Sequence, residues 1–296
     1  MNEIRGEAVA APNSTGSQPP QTAAPEGAVD CHMHIFDPRF PFIAGRNPGV
    51  GTVEDYRLYQ RRLGLSRCIV VGASSHGLDN SCLLDSLETF GDSARGVATI
   101  SRETTEAELQ RLHSKGVRGI RVNFGRVKVV PSDLNDLAER IKPLGWHLQT
   151  HMLADSIVEN EALLAALPVT LVIDHIGRAP QPGGLDHPVA RTLERLLRAG
   201  NTWVKLSHYY EDEGKGVDYA DYVPLIKHLI SVAPDRLVWA SDWPHGTQAN
   251  KPDGAALFDQ IATWAPDPAM RRRILVDNPS ALYWRDSADA AARSAR

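Results

Sequence analysis

The sequence predicts one domain of the α/β class, a (β/α)8 TIM barrel. Three observations lead there. Between about residues 28 and 285, short β-branched or alternating runs take turns with amphipathic helical segments, and eight strand candidates can be counted. The chain has 296 residues, 42% of them hydrophobic and 23% charged, enough to bury the core of a single barrel. No Gly-x-Gly-x-x-Gly or Walker loop marks the open, doubly wound sheet that would compete.

Residues 1–27, rich in Ala, Pro, Ser, Thr and Gly, hold no sustained apolar block and read as a disordered N-terminal tail rather than a signal segment. The barrel opens at Val29-Asp30-Cys31-His32-Met33-His34-Ile35. There the two-residue period of a strand sends His32 and His34 to one face and Cys31, Met33 and Ile35 to the other. A loop containing Pro and Gly (38–51) leads to helix 53–63, whose apolar residues recur at helical spacing. Strand 67–72 is β-branched and runs into 73–80, a loop dense in hydrogen-bonding side chains. Helix 81–90, strand 94–100, helix 104–115 and strand 119–123 follow. Then come helix 132–143, strand 146–151, helix 156–167, strand 169–175, helix 188–198, strand 202–207, helix 219–232 and strand 236–242. Two helices, 255–264 and 268–276, close the fold, and the domain runs over 28–285. Residues 286–296 carry so little to bury that they read as a C-terminal tail.

Composition excludes several functions. The 32 basic and 36 acidic residues leave a formal net charge of −4, without the basic surplus of a nucleic-acid binder. No run reaches the roughly 18 to 20 apolar residues of a membrane span. Cys31, Cys68 and Cys82 are odd in number and lack a C-x-x-C pair, which argues against a disulfide framework and suits a reducing cytoplasm. A homo-oligomer stays open.

Placed on eight strands, the polar residues converge. His32 and His34 lie on strand one, His151 ends strand five, His175 ends strand six and Asp242 ends strand eight. The C-terminal ends of barrel strands form one mouth, where barrel enzymes hold their chemistry. Each residue alone has a plainer reading: His151 as a capped loop residue, His175 as a core histidine bonded to Asp174, Asp242 as the cap of a turn before Pro244. All five in this order are better read as a site.

Four stretches carry a family resemblance: Asp-Cys-His-Met-His-Ile-Phe-Asp-Pro (30–38), Ile-Asp-His-Ile-Gly-Arg (173–178), Ala-Ser-Asp-Trp-Pro-His (240–245) and Asp-Asn-Pro-Ser-Ala-Leu-Tyr-Trp (277–284). Together they resemble the amidohydrolase superfamily and, within it, the amidohydrolase-2 branch. Residues 73–80, 116–124 and 144–147 are similar to the 2-pyrone-4,6-dicarboxylate lactonases of that branch, which also holds 4-sulfomuconolactone hydrolases, sugar-lactone isomerases and decarboxylases. The resemblance implies a cytoplasmic hydrolase that opens a small anionic lactone in aromatic-compound degradation. Its substrate would be of the muconolactone type, such as 4-sulfomuconolactone. The alternatives are 2-pyrone-4,6-dicarboxylate, or a lactone isomerase or decarboxylase reaction on the same barrel. Departures from the pyrone lactonases set that order. Their tyrosine at the end of strand five is His151 here, as in metal-dependent relatives. After strand seven, where they carry an arginine, this chain reads His208-Tyr-Tyr-Glu-Asp-Glu213, and Arg126 and Lys128 have altered spacing.

Opening a lactone with water needs a base, an electrophile for the ester carbonyl and cations for any anionic group. Asp242 is the candidate base, with His32, His34, His151 and His175 as its catalytic companions. A divalent metal, zinc first, would take His32, His34, His175 and Asp242 as ligands, with His151 at the edge. A metal-free route, in which the histidines donate hydrogen bonds, also stays open. Candidate substrate contacts are Ser74, His76, Arg121, Asn123, Arg126, Lys128, Lys205 and His245. Arg121 and Lys205 alternate with apolar neighbours and so point into the barrel, where each requires an anion, either the substrate or a structural carboxylate.

Overall fold

The computed structural model describes residues 2–124, 133–207 and 219–284. Eight parallel strands run in sequence order around the barrel: β1 (Val29–Met33), β2 (Arg67–Val71), β3 (Ala94–Ala98), β4 (Val117–Asn123), β5 (His147–His151), β6 (Leu171–Ile173), β7 (Thr202–Leu206) and β8 (Leu237–Trp239). Each pairs with the next, and the seam between β8 and β1 is closed by the residues just past β8. Asp242 N–H donates to His32 O (2.9 Å) and His34 N–H to Trp243 O (2.8 Å). The predicted single-domain barrel is therefore the observed one.

Strand alternation sorts the core into two shells. Ile69, Val71, Val97, Val172, Val238 and Ala240 face inward as one cluster, and Leu282, Tyr283 and Trp284 plug the end opposite the mouth. Cys68, Val70, Leu148, Leu171 and Ile173 face outward and pack under the helices. On β1 the simple alternation fails. The β1–β2 register shifts between Asp30 and Met33, so Cys31 joins the inner cluster while Met33 and Ile35 join the outer one. A bulge of this kind re-aims side chains at a site, and His32 and His34 still share one destination.

The helices begin where their caps dictate. Helix α1 (Val53–Leu63) starts in a capping box of Thr52 and Asp55 and stops at Gly64, whose φ of 72° is left-handed. Helix α2 (Ser81–Phe90) has the predicted bounds. The single helix predicted over 156–167 is two short ones, Ala154–Glu159 and Glu161–Ala165. Asn160 sits at the break, its side chain donating to Ser156 O (2.8 Å) in competition with the backbone ladder. The last predicted helix continues past 276 to Tyr283 through a π turn, Arg273–Asp277, ahead of Pro279, which has no N–H to give. Among the described residues no helix is long and apolar enough to cross a membrane.

One expectation is corrected outright. Residues 2–27 are an ordered arm, not a disordered tail. Glu3–Ile4 pairs with Ala24–Pro25 as a short ribbon, and the arm's backbone is held at many points by the barrel's side chains. Composition missed this because the arm buries little of its own and is held through its carbonyls and N–H groups. Residues 286–296 lie outside the described residues.

Candidate active site

At the mouth, His32 Nε2 and His34 Nε2 stand 3.2 Å apart, and Asp242 Oδ1 lies 3.6 Å from the first and 3.9 Å from the second. The other ring nitrogens fix the protons. His34 Nδ1 faces Val71 O at 2.8 Å, and His32 Nδ1 faces Asp174 Oδ1 at 3.2 Å. A carbonyl only accepts, so His34 carries hydrogen on Nδ1 and a lone pair on Nε2, and the Asp174 carboxylate favours the same tautomer for His32. Lys205 Nζ also comes within 3.4 Å of His32 Nδ1, but its shorter bonds go to Gln149 Oε1 (2.7 Å) and Cys31 O (2.8 Å). Burial lowers His32 to about 3; burial and then Arg121 lower His34 to about 4. Both are neutral imidazoles at pH 7.

Two lone pairs and a carboxylate thus converge, and they repel one another unless a cation or proton donors lie between them. The donor set of two neutral imidazoles and one carboxylate suits a divalent transition metal such as zinc. His32, His34 and Asp242 are close enough to share one ion. His175 falls outside that trio and groups instead with His32 and Asp174. His151 is not a ligand in this arrangement, because Arg178 Nη1 approaches its Nε2 at 3.2 Å and Asn123 Oδ1 its Nδ1 at 3.2 Å.

Beneath this trio lies a buried polar layer. Asp174 accepts from Arg121 Nε (2.9 Å) and Gln149 Nε2 (3.1 Å), and Lys205 Nζ is 3.8 Å away. Burial alone would raise its pKa, but His32, Arg121 and Lys205 outweigh that and hold it well below the usual range. Burial pulls Lys205 down to about 8 against the opposing charge of Asp174. A carboxylate behind a ligand histidine fixes its tautomer and its aim.

The backbone at the mouth is strained. His175, Ile176, Arg178, Asp242 and His245 all have φ between 50° and 61°, the left-handed region that side chains avoid, above all the β-branched Ile176. β6 ends at Ile173, short of the predicted 175, because the chain turns there to present His175 and Arg178. Such strain collects at functional sites.

Above the trio a cavity of about 350 Å³ is lined by His34, His151, His175 and Asp242, with Ser74 and Asn123 beside them and three guanidinium groups, Arg46, Arg121 and Arg178. Ser74, Arg121 and Asn123 are thus where the sequence placed them, and Arg121 has Asp174 as its anionic partner while still reaching the cavity. Three candidates sit elsewhere. Lys205 is wholly buried below the cavity, where its ammonium serves Gln149, Cys31 O and Asp174. His76 packs against Phe42, with its Nδ1 at Pro41 O (3.1 Å), and lines a separate small pocket. His245 is buried in the turn after Asp242 and does not line the cavity. Arg126 and Lys128 lie outside the described residues. Sequence reasoning missed Asp174, Gln149, Arg178 and Arg46 as site residues. Asp174 and Arg178 stood inside the motif around His175, and the inward parity of Gln149 between Leu148 and Thr150 was a usable signal.

Comparison with known proteins places this geometry. The amidohydrolase family model matches residues 29–285. The 2-pyrone-4,6-dicarboxylate hydrolase of Comamonas testosteroni is 38% identical, over 90% of this chain and 92% of its own. The 4-sulfomuconolactone hydrolase of Rhizobium radiobacter is 34% identical, over 90% of this chain and 93% of its own. The D-galactarolactone isomerase of Agrobacterium fabrum is 32% identical, over 89% of this chain and 93% of its own.

Proposed function

The chain belongs to the amidohydrolase family, and from that premise we propose that it hydrolyses a small anionic lactone of the muconolactone type, such as 4-sulfomuconolactone. The observation that carries this reading is the lining of one cavity, which brings Asp242 and His34, with His32 Nε2 buried directly behind them, together with three arginines, Arg46, Arg121 and Arg178. A lactone with a carboxylate or sulfonate satisfies both kinds of group, its ester at Asp242 and its anion at the guanidinium groups. The names of the similar hydrolases support a lactone substrate.

His32, His34 and Asp242 would hold a divalent cation, zinc first by donor type. Bound there, it would supply the positive charge that polarises an ester carbonyl and acidifies water to a pKa of about 7. Asp242 takes a proton from water as the water oxygen adds to the lactone carbonyl carbon. The ring C–O bond then breaks, and Asp242 returns the proton to the leaving oxygen. Asp174 holds His32, and the Val71 carbonyl holds His34, so that neither ring rotates during these steps. A metal-free route would need His32 and His34 to donate from Nε2, and the acceptors at their Nδ1 atoms oppose that tautomer.

A lactone panel tests the substrate class. 4-Sulfomuconolactone, muconolactone and 2-pyrone-4,6-dicarboxylate are compared with an uncharged γ-lactone by proton release at fixed pH. One or more anionic lactones should exceed the uncharged one in kcat/KM by about 100-fold or more, the value of one to two charge-assisted hydrogen bonds. Equal rates on charged and uncharged lactones would remove the role given to the three arginines. Within that reading, Arg178→Gln should raise KM for the preferred anionic lactone by about 10- to 100-fold, as the loss of one such bond requires. Steady-state kinetics on the folded variant checks it, and an unchanged KM would exclude Arg178 as an anion contact.

A further inference from the structure

The three residues His32, His34 and Asp242 straddle the seam of the barrel. Among the described residues no ladder joins β8 to β1, and the closure consists of the backbone bonds of Asp242 and His34 together with Asp30, whose carboxylate accepts from Ser241 N–H at 2.9 Å. The seam's width therefore sets the distance between Asp242 and the histidines. Outside it, the arm of residues 2–27 crosses between α1 and the helix Gly254–Trp264 (α3 here) and touches the seam itself.

Arg62, on α1 and wholly buried, is the centre of that crossing. Its guanidinium donates to Gln18 O (2.8 Å) and Thr15 O (2.7 Å) and pairs with Asp253 (2.6 Å), which caps α3. Around it, Gly254 N–H donates to Ser14 Oγ (2.9 Å), Thr15 N–H to Pro252 O (3.1 Å), and Asp259 on α3 accepts from Thr22 N–H (2.7 Å). Two further bonds reach the mouth. The indole N–H of Trp243, the residue after Asp242, donates to Pro12 O (3.0 Å), and Asn13 Nδ2 donates to Val50 O (2.8 Å) in the loop after β1. Trp243 is itself wholly buried against Tyr56 and Tyr59 of α1. The matched family region begins at residue 29, after the arm.

We propose that the arm is a clasp on the barrel seam. Fastened by Arg62, it holds Trp243 through Pro12 and so keeps Asp242 in its left-handed backbone at the working distance from His32 and His34. Arg62 and Trp243 are positioning residues in this scheme, since neither lines the cavity. The catalytic consequence rests on the lactone-opening reading; the structural one does not.

The test uses the full chain with Arg62→Met, Trp243→Phe and the double variant, measured by amide hydrogen exchange and by kinetics. In each single variant, exchange in segments 32–36 and 241–245 should quicken by about tenfold or more while β4 and β5 keep wild-type rates, the mark of local rather than global opening. On the preferred lactone kcat should fall by about 10- to 100-fold with KM within about threefold, as a displacement near 1 Å at the reacting groups produces. The double variant should lose little beyond the worse single one, because both act on one loop. Unchanged seam exchange, or a uniform rise across all eight strands with kcat per folded molecule intact, would overturn the clasp. Should Arg62→Met fail to fold, Trp243→Phe carries the same two outcomes. Lost seam protection together with a wild type that opens no lactone would remove the reaction and leave the clasp standing.

Discussion

Asp242→Asn is expected to lower kcat by about 10³-fold or more, the loss of a general base combined with that of an anionic partner to the reacting centre, in a protein that still folds. The carboxylate stands within 3.6 and 3.9 Å of two imidazole lone pairs, and its side chain lines the cavity. An amide of the same shape keeps the packing and the backbone bond from Asp242 N–H to His32 O, so the left-handed turn is retained. What is lost is a base that accepts a proton and returns it. Circular dichroism with steady-state kinetics separates the effects: a native spectrum with turnover near background is the expected result. Near-wild-type turnover would move the proton transfer to another group.

Asp174→Asn should be the most damaging single change to stability at the site. It leaves Arg121 and Lys205 buried without their shared carboxylate, and breaking a buried charge network from one side costs about 3–5 kcal/mol. With its one amide oxygen turned to Arg121 and Gln149, the asparagine presents an NH2 to His32 Nδ1 in place of a carboxylate oxygen, so turnover should fall in whatever fraction folds. Urea unfolding monitored by fluorescence reads the first effect as a lower midpoint at unchanged slope. A midpoint equal to wild type would mean that the layer of Arg121, Gln149 and Lys205 holds itself together without the carboxylate.

Much of this site is legible in the sequence, and the reason is periodicity. His32, His34, His151, His175 and Asp242 stand at or near strand ends, and once eight strands are counted the barrel itself brings them to one mouth. What the period of two does not reveal is where it breaks. The bulge in β1 turns Cys31 inward beside His32 with no glycine to announce it, and the left-handed run that ends β6 early begins at His175 and Ile176, ahead of its one glycine, Gly177. The alternation around Arg121 implies an inward side chain with an anionic partner, but which anion depends on Asp174, a residue 53 positions away. Lys205 had the same inward logic and lies one layer too deep to meet a substrate. The order of the N-terminal arm is not legible in its composition because its partners, Arg62, Asp253 and Asp259, are scattered along the chain and meet only in the fold.

The most direct test of water-mediated ring opening is the mass of the product formed from the preferred anionic lactone in ¹⁸O-labelled water. Hydrolysis predicts a product heavier than the lactone by one water, with a single ¹⁸O in the new carboxylate. A product of unchanged mass, or one that has lost carbon dioxide, would contradict it and assign the site to isomerisation or decarboxylation.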